Sequence, residues 1–313
     1  MTSCSTSFIR EVCDGPISRD PLAETEDVLK PEDIRLSTGG AVCLMAYWAF
    51  SSTVFEANDP QPIMHIFPDH FLLLEEYLED DAQSQIFSTP GTIEAIIVLG
   101  LWLEENKLIS ETSEANFMSY HHQITLCSVY HPDLQVRNAA VVLAGHVLHS
   151  DPDEDDRLKI LEDLLENCMF ASLKACALTW LREELISAQK EKAPNAFSSP
   201  DSIEQVQYLI FPNMALLEEM DDEGLLDYWV QNSAFVIQAA NFAYFLFNSD
   251  TYQHLVPAAM RAGVEQRYVE PLLAAAARLE GIITKGASSG VGMSEVTLQL
   301  DILQDRLKSL SLH

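Results

Sequence analysis

The stretch from His131 to His149, HPDLQVRNAAVVLAGHVLH, gathers three histidines, an aspartate and an arginine around an apolar helical stripe. Imidazole, thiolate and carboxylate are the ligand types of zinc, and other candidates lie close by in sequence. His146 and His149 are one turn apart, His121 and His122 precede them, and Cys127 sits a turn before His131. Neighbouring helices could bring such groups together. A zinc centre needs about four converging ligands, however, and neither an HExxH nor a CxxC pair anchors this set. An imidazolium at His149 also suits the negative end of a helix. The expectation is histidines that follow helix faces, with no metal and no cofactor.

A second candidate is TKGASSGVG, Thr284 to Gly292, whose Gly286, Gly290 and Gly292 match the GxxxGxG phosphate loop of short-chain dehydrogenases. That loop does its work between a first strand and a helix of a long βαβ domain. Here it follows an Ala-rich helical stretch, with too little chain after Gly292 for such a domain. It is expected to be an inter-helix turn. The paired acids Glu75 and Glu76, Glu104 and Glu105, and Glu218 and Glu219 fall on polar faces, where solvated charge is their role. No Ser, Cys or carboxylate stands with a base and an orienting partner, so no catalytic residue is assigned and the chain is expected not to be an enzyme.

The frame that positions these residues is helical. Apolar residues recur at helical spacing almost throughout, and no β-branched alternation is sustained. Helices are placed over about residues 40–56, 69–80, 91–107, 114–130, 132–149, 152–167, 171–190, 202–220, 223–247, 252–262, 265–284 and 293–311, each end good to ~2–4 residues. Residues 1–35, broken by Pro16, Pro21 and Pro31, read as a loosely ordered lead-in, and residues 36–313 as one helical-repeat domain with an internal break at 190–200, KEKAPNAFSSP. Pro132 is placed at a first helical position with Asp133 in the first turn; Asp151 is placed as a cap, Pro152 as the next helix start and Glu154 as its capping-box partner.

Composition narrows the partners. The formal net charge is −30 over 313 residues, which repels nucleic acid and anionic lipid, whose recognition needs Lys and Arg against phosphate. Residues 39–55 and 229–247 approach membrane length, but the first is short of ~20 apolar residues and the second carries Gln231, Asn232, Gln238 and Asn241. Both are expected to be buried helices. The N-terminus lacks a basic start followed by an apolar run, so no secretory signal is legible, and a cytoplasmic or nuclear location is expected. The six cysteines form no framework and are expected to be reduced.

Helix starts near 114, 132, 152 and 171 make pairs that recur at about the ~40-residue period of helical repeats. HPDLQVRNAA also has the P-D-x-x-V-R-x-x-A pattern of HEAT repeats, in which Asp133 and Arg137 would tie layers together at the inner turn. Trp180 sits on the apolar stripe of the following pair with Leu173, Ala177 and Leu181. The fold class expected is all-α, a HEAT/armadillo-like α-solenoid of stacked antiparallel helix pairs. Asp133, Arg137 and Trp180 are its repeat-junction residues.

Val136-Arg137, then Arg157-Leu158, LEDLLENC from Leu161 to Cys168, Leu173-Lys174 and ALTWLREEL from Ala177 to Leu185 resemble the glomulin and fungal Yap-binding protein family. The resemblance covers about residues 125–190, and family members are longer than this chain. It implies an adaptor or inhibitor without catalysis, whose partner is a RING subunit of a cullin ubiquitin ligase or a stress-responsive transcription factor. No contact residue is carried over from it. The alternative function is a redox-responsive protein in peroxide signalling that uses a cysteine covalently, with Cys4 or Cys13 as the accessible candidates. A final feature is the 4-3-4-3 run Val296, Leu300, Leu303, Leu307 and Leu310. It is either a seam for a partner helix, with Leu300, Leu303 and Leu307 as binding residues, or the core face of a terminal helix.

Overall fold

The computed structural model describes residues 3–5, 37–54, 63–78, 81–109, 115–191, 194–257, 259–286 and 291–312. The described residues are helical apart from a parallel pair of three-residue strands, β1 (Ser3–Ser5) and β2 (Ile63–His65). Of the lead-in expected over residues 1–35, all but β1 lies outside the described residues. The chain forms two compact units, Met1–Pro152 and Asp153–His313.

The first unit contains α1 (Thr38–Val54), α2 (Asp69–Tyr77), α3 (Ala82–Ser88), α4 (Pro90–Glu105), α5 (Phe117–Tyr130) and α6 (Leu134–Ser150). Helix α4 is apolar on most of its circumference, and such a helix must be covered by others. It packs against α1, α2, α3 and α6, and Ile93, Ile96, Ile97, Leu99, Trp102 and Leu103 are buried. At Gly100 the neighbours come so close that a Cβ would lie 2.6 Å from Leu143 Cδ2 and 2.9 Å from the Tyr120 hydroxyl. Glycine is needed there for the helices to meet. Sequence periodicity does not find α3: AQSQIFS buries only Ile86 and is held by Asp81, whose side chain accepts from the Ser84 N–H.

Two histidines join these helices by hydrogen bonds that fix their tautomers. His70 is fully buried on α2, with Nε2 2.9 Å from the Ile96 carbonyl and Nδ1 3.0 Å from the Tyr120 hydroxyl. A carbonyl only accepts, so Nε2 carries the proton; burial keeps the ring neutral, so Nδ1 accepts from Tyr120. Tyr120 also stacks on Phe71 at 3.9 Å between centroids. His131 repeats the logic after α5: Nε2–H donates to the Pro90 carbonyl at 3.1 Å and Nδ1 accepts from the Asp133 N–H at 3.1 Å.

The junctions on either side of α6 lie one or two residues from where the sequence places them. Asp133 is the N-cap of α6, accepting from the Gln135 and Val136 N–H groups, so Pro132 precedes the helix instead of opening it. Asp151 closes α6, and Asp153, not Asp151, caps the next helix by accepting from the Asp155 and Asp156 N–H groups. In both cases the aspartate nearer the helix takes the extended cap geometry that its short side chain serves well.

The second unit contains α7 (Glu154–Asn167), α8 (Ala171–Glu191), α9 (Pro200–Ile210), α10 (Leu216–Glu219), α11 (Asp222–Asn248), α12 (Met260–Val264), α13 (Glu270–Gly286) and α14 (Val291–Lys308). Helix α11 packs on α8, α13 and α14 and buries Val236, Ala239, Ala240, Phe242, Ala243, Leu246 and Phe247. Its polar residues are accommodated: Gln238 Nε2 donates to Thr179 Oγ1 at 3.0 Å, and Asn232 Nδ2 donates to the Tyr228 carbonyl at 2.9 Å. Glu154, instead of completing a capping box, accepts from the Ala196 N–H at 2.7 Å. Arg157 on α7 meets the buried Glu184 on α8 at 3.1 Å.

Three expected segments differ, the first being the helix placed over 252–262, where the chain forms a 3-10 turn (Gln253–Leu255) and then the short α12. The helix placed over 202–220 is divided at Pro212, which cannot sit in a helix interior and forces Phe211 out of the helical region at φ −119°, ψ 69°. The break placed at 190–200 lies inside the second unit. Asn195 caps a short 3-10 turn (Ala196–Ser198) whose Phe197 is buried, and Ser199 then caps α9 with Pro200 at its start. A π-helical turn (Glu265–Val269) leads into α13, with Arg267 donating to the Phe211 carbonyl at 3.0 Å.

Two predictions concern stability. Burial lowers the pKa of His70 to about 4 and of His121 to about 3, from an ordinary value of 6.5. Below pH 6.5 the unfolded chain therefore takes up protons that the folded chain refuses, and stability falls as pH drops, by up to about 1.4 kcal/mol per pH unit for each group. Urea midpoints measured between pH 6.5 and 5, above most carboxylate titration, should fall, and His70→Gln should flatten the slope. Glu184→Gln, which leaves Arg157 without its carboxylate partner in a half-buried site, should cost about 3 kcal/mol by urea denaturation. Asp156→Asn, at the exposed Asp156–Lys159 pair, should change little.

Candidate functional site

The candidates for chemistry do not converge. Among the described residues no three His, Cys, Asp or Glu side chains are placed to hold a metal ion. His70, His121 and His131 are buried, and His146 lies on the surface of α6, 3.6 Å from Glu104. The segment from Thr284 to Gly292 joins α13 to α14, and residues 287–290 of it lie outside the described residues. A helix on either side is the wrong frame for a strand-to-helix phosphate loop.

The described thiols are held protonated. Burial pushes Cys127 up to about 12, and it also raises Cys168, Cys176 and Cys43, the last with a contribution from the Glu94 carboxylate. Thiolate is the reactive form, so these four are poor nucleophiles. Of the two cysteines proposed for redox chemistry, Cys4 lies in β1, where side chains are not described, and Cys13 lies outside the described residues.

The junction residues occupy ordinary structural positions. Asp133 is exposed and spends its carboxylate on its own helix N-terminus. Arg137 is half-buried, and its guanidinium has no hydrogen-bond or ion-pair partner among the described residues. Trp180 is buried on α8. The seam on α14 is also internal: Leu300, Leu303 and Leu307 are 0%, 0% and 3% exposed and face their own unit, where α14 packs on α11 and α13. They correct the reading of this seam as a partner surface. A heptad-like run on a terminal helix serves a domain core equally well, and here the neighbouring helices fill it.

A groove of ≈ 680 Å³ with a mostly apolar lining lies between α1 and α4. Its lining includes the buried small side chains of Ala46 and Ala95 and the exposed Gly91, and the Cys43 thiol lies 3.7 Å from the Gly91 carbonyl. Tyr47 and Phe50 of α1 form one wall, and Val98 and Leu101 of α4 form the other. Glu94 and Glu105 complete the α4 stripe, so Glu94, Val98, Leu101 and Glu105 follow 4-3-4 spacing on a single helix face. That stripe runs about 16 Å, three helical turns. Beside it Leu44 is 51% and Tyr47 58% exposed. Two other hollows, of ≈ 200 and ≈ 380 Å³, are smaller and lined with polar groups such as Asn116 and Ser119, or Gln85 and Thr89.

Sequence reasoning missed this groove. Residues 39–55 are apolar all round and read as a fully buried helix, while Glu104 and Glu105 read as solvated charge. The pattern of acids flanking Val98 and Leu101 becomes visible only once the rest of α4 is known to be covered. No single described helix is long and apolar enough to cross a membrane. The one pair that qualifies together, α3 and α4, is bent by 99°.

The sequence model of a family described as "Uncharacterised protein family, YAP/Alf4/glomulin" matches residues 8–306, nearly the whole chain. No curated protein matches the chain. The burial of the α14 seam predicts that Leu303→Ala lowers stability by about 3 kcal/mol in urea denaturation, the cost of a cavity in a packed core.

Proposed function

This chain belongs to the YAP/Alf4/glomulin family, and on that premise we propose that it is a non-catalytic adaptor that binds another protein. The observation that carries the reading is the family match over residues 8–306. Burial keeps His70 and His121 neutral and the Cys127 thiol protonated, which suits structural roles for these side chains. Helix pairs α5–α6 and α7–α8 also recur at about the ~40-residue period of HEAT-like repeats, which supports an α-solenoid as the finer architecture. Stacked pairs of that kind present an extended, rigid recognition surface.

The partner class proposed is a RING subunit of a ubiquitin ligase or a stress-responsive transcription factor, in the cytoplasm or nucleus. A net charge of −30 speeds encounter with a basic protein and opposes nucleic acid. Affinity capture of the full chain from its source cell with mass spectrometry should return one of these classes in stoichiometric amount. With the purified partner, association should slow on the order of tenfold from low to high salt. Turnover of a small molecule by the isolated chain, or a salt-independent association rate, would count against the adaptor or its electrostatics respectively.

A further inference from the structure

We propose that the groove between α1 and α4 is the docking site for a basic amphipathic helix of the partner, an inference that rests on the adaptor reading and gives it a surface. Three features of the groove select this occupant. The small side chains of Ala46 and Ala95 in its lining let a third helix approach closely, while Tyr47 of α1 and Leu101 of α4 supply apolar surface from both helices. Its length, about three turns between Glu94 and Glu105, suits a short helix with anchors at i, i+3, i+4 and i+7. Its charge is one-signed: Glu94 and Glu105 stand at either end of the apolar stripe on α4, where Lys or Arg flanking a partner's apolar stripe would meet them.

The other occupants fit less well. A second copy brings another net charge of −30 to an acidic surface, and residues 6–36 of this chain also carry more Asp and Glu than Lys and Arg. Anionic lipid and nucleic acid meet the same repulsion. The groove binds by burying Leu, Ile or Phe anchors between Tyr47 and Leu101, and the two glutamates set which helices enter. An acidic helix with the same apolar stripe is rejected, because its charges would be desolvated beside like charges.

The test uses the full chain and a fluorescein-labelled synthetic Leu/Lys peptide of three to four helical turns with its leucines on one face, followed by anisotropy. Two control peptides are a scramble of the same composition without an apolar face and a Leu/Glu version with the same face. The Leu/Lys peptide should bind at least tenfold tighter than either control. Leu101→Asp should weaken it tenfold or more, and Glu94→Gln with Glu105→Gln should weaken it a few-fold and reduce its salt dependence. Because Leu101→Asp can unfold the unit, the wild-type chain provides a second readout: iodoacetamide labelling of Cys43 at alkaline pH, where its raised thiol ionises, resolved by peptide mass spectrometry, should slow several-fold when the Leu/Lys peptide is bound. Equal binding of the scramble, or Cys43 labelling that the peptide does not alter, overturns the proposal. So does self-association that Leu101→Asp abolishes, since a second copy then fills the groove. If folded Leu101→Asp still captures the cellular partner, the groove assignment fails while the adaptor reading stands; if the peptide binds as expected but the chain captures no cellular protein, the adaptor reading fails.

Discussion

The first unit depends on covering α4. A helix with Ile93, Ile96, Ile97, Leu99, Trp102 and Leu103 spread around its circumference cannot face water on most of its surface, so neighbours must pack on several sides. Helices α1, α2, α3 and α6 do so, and Gly100 sets how near Leu143 of α6, Tyr120 of α5 and His70 of α2 come. The stripe of α4 left over, Glu94 to Glu105, is then fixed by subtraction. It borders α1 without being filled by it, which is why the groove lies there and why its wall is apolar at the centre and acidic at its ends.

Apolar packing alone would leave several arrangements of these helices close in energy, and buried hydrogen bonds narrow them. His70 reaches two helices from one ring, with its donor on Ile96 and its acceptor toward Tyr120. His131 does the same between the start of α4 and the N-cap of α6. Each bond contributes only about 1 kcal/mol net, but an unmatched buried imidazole would cost more than that. The alternatives are therefore penalised more than the native arrangement is rewarded. In the second unit the Gln238–Thr179 bond and the Arg157–Glu184 pair act likewise on α7, α8 and α11.

This division of labour gives many of the described polar side chains structural roles. His70 and His121 are held neutral by burial, His131 is committed to Pro90 and Asp133, and the described thiols are raised away from thiolate. The aspartates near helix starts satisfy backbone N–H groups. What remains for recognition is shape and charge: an apolar groove, an acidic surface and a family whose members suggest protein binding.

The sequence by itself determined the all-α class, because helical periodicity is local and survives without a partner, and most helix positions follow from it. Pattern likewise placed residues 229–247 in a helix, α11, which packs on α8, α13 and α14. Local signals also set the limits. The helix placed over 202–220 runs through Pro212, whose ring breaks it after Ile210, and α3 buries too little to show a period. The aspartate that caps α7 was ambiguous by two residues, since Asp151 and Asp153 have the same chemistry. Only the tertiary structure decided which apolar faces are core and which are surface. Leu300, Leu303 and Leu307 read like a partner seam and are buried, whereas Tyr47 and Leu101 read like core and line an open groove. Burial is a property of what packs against a residue, and in this chain the neighbours that decide it come from distant sequence.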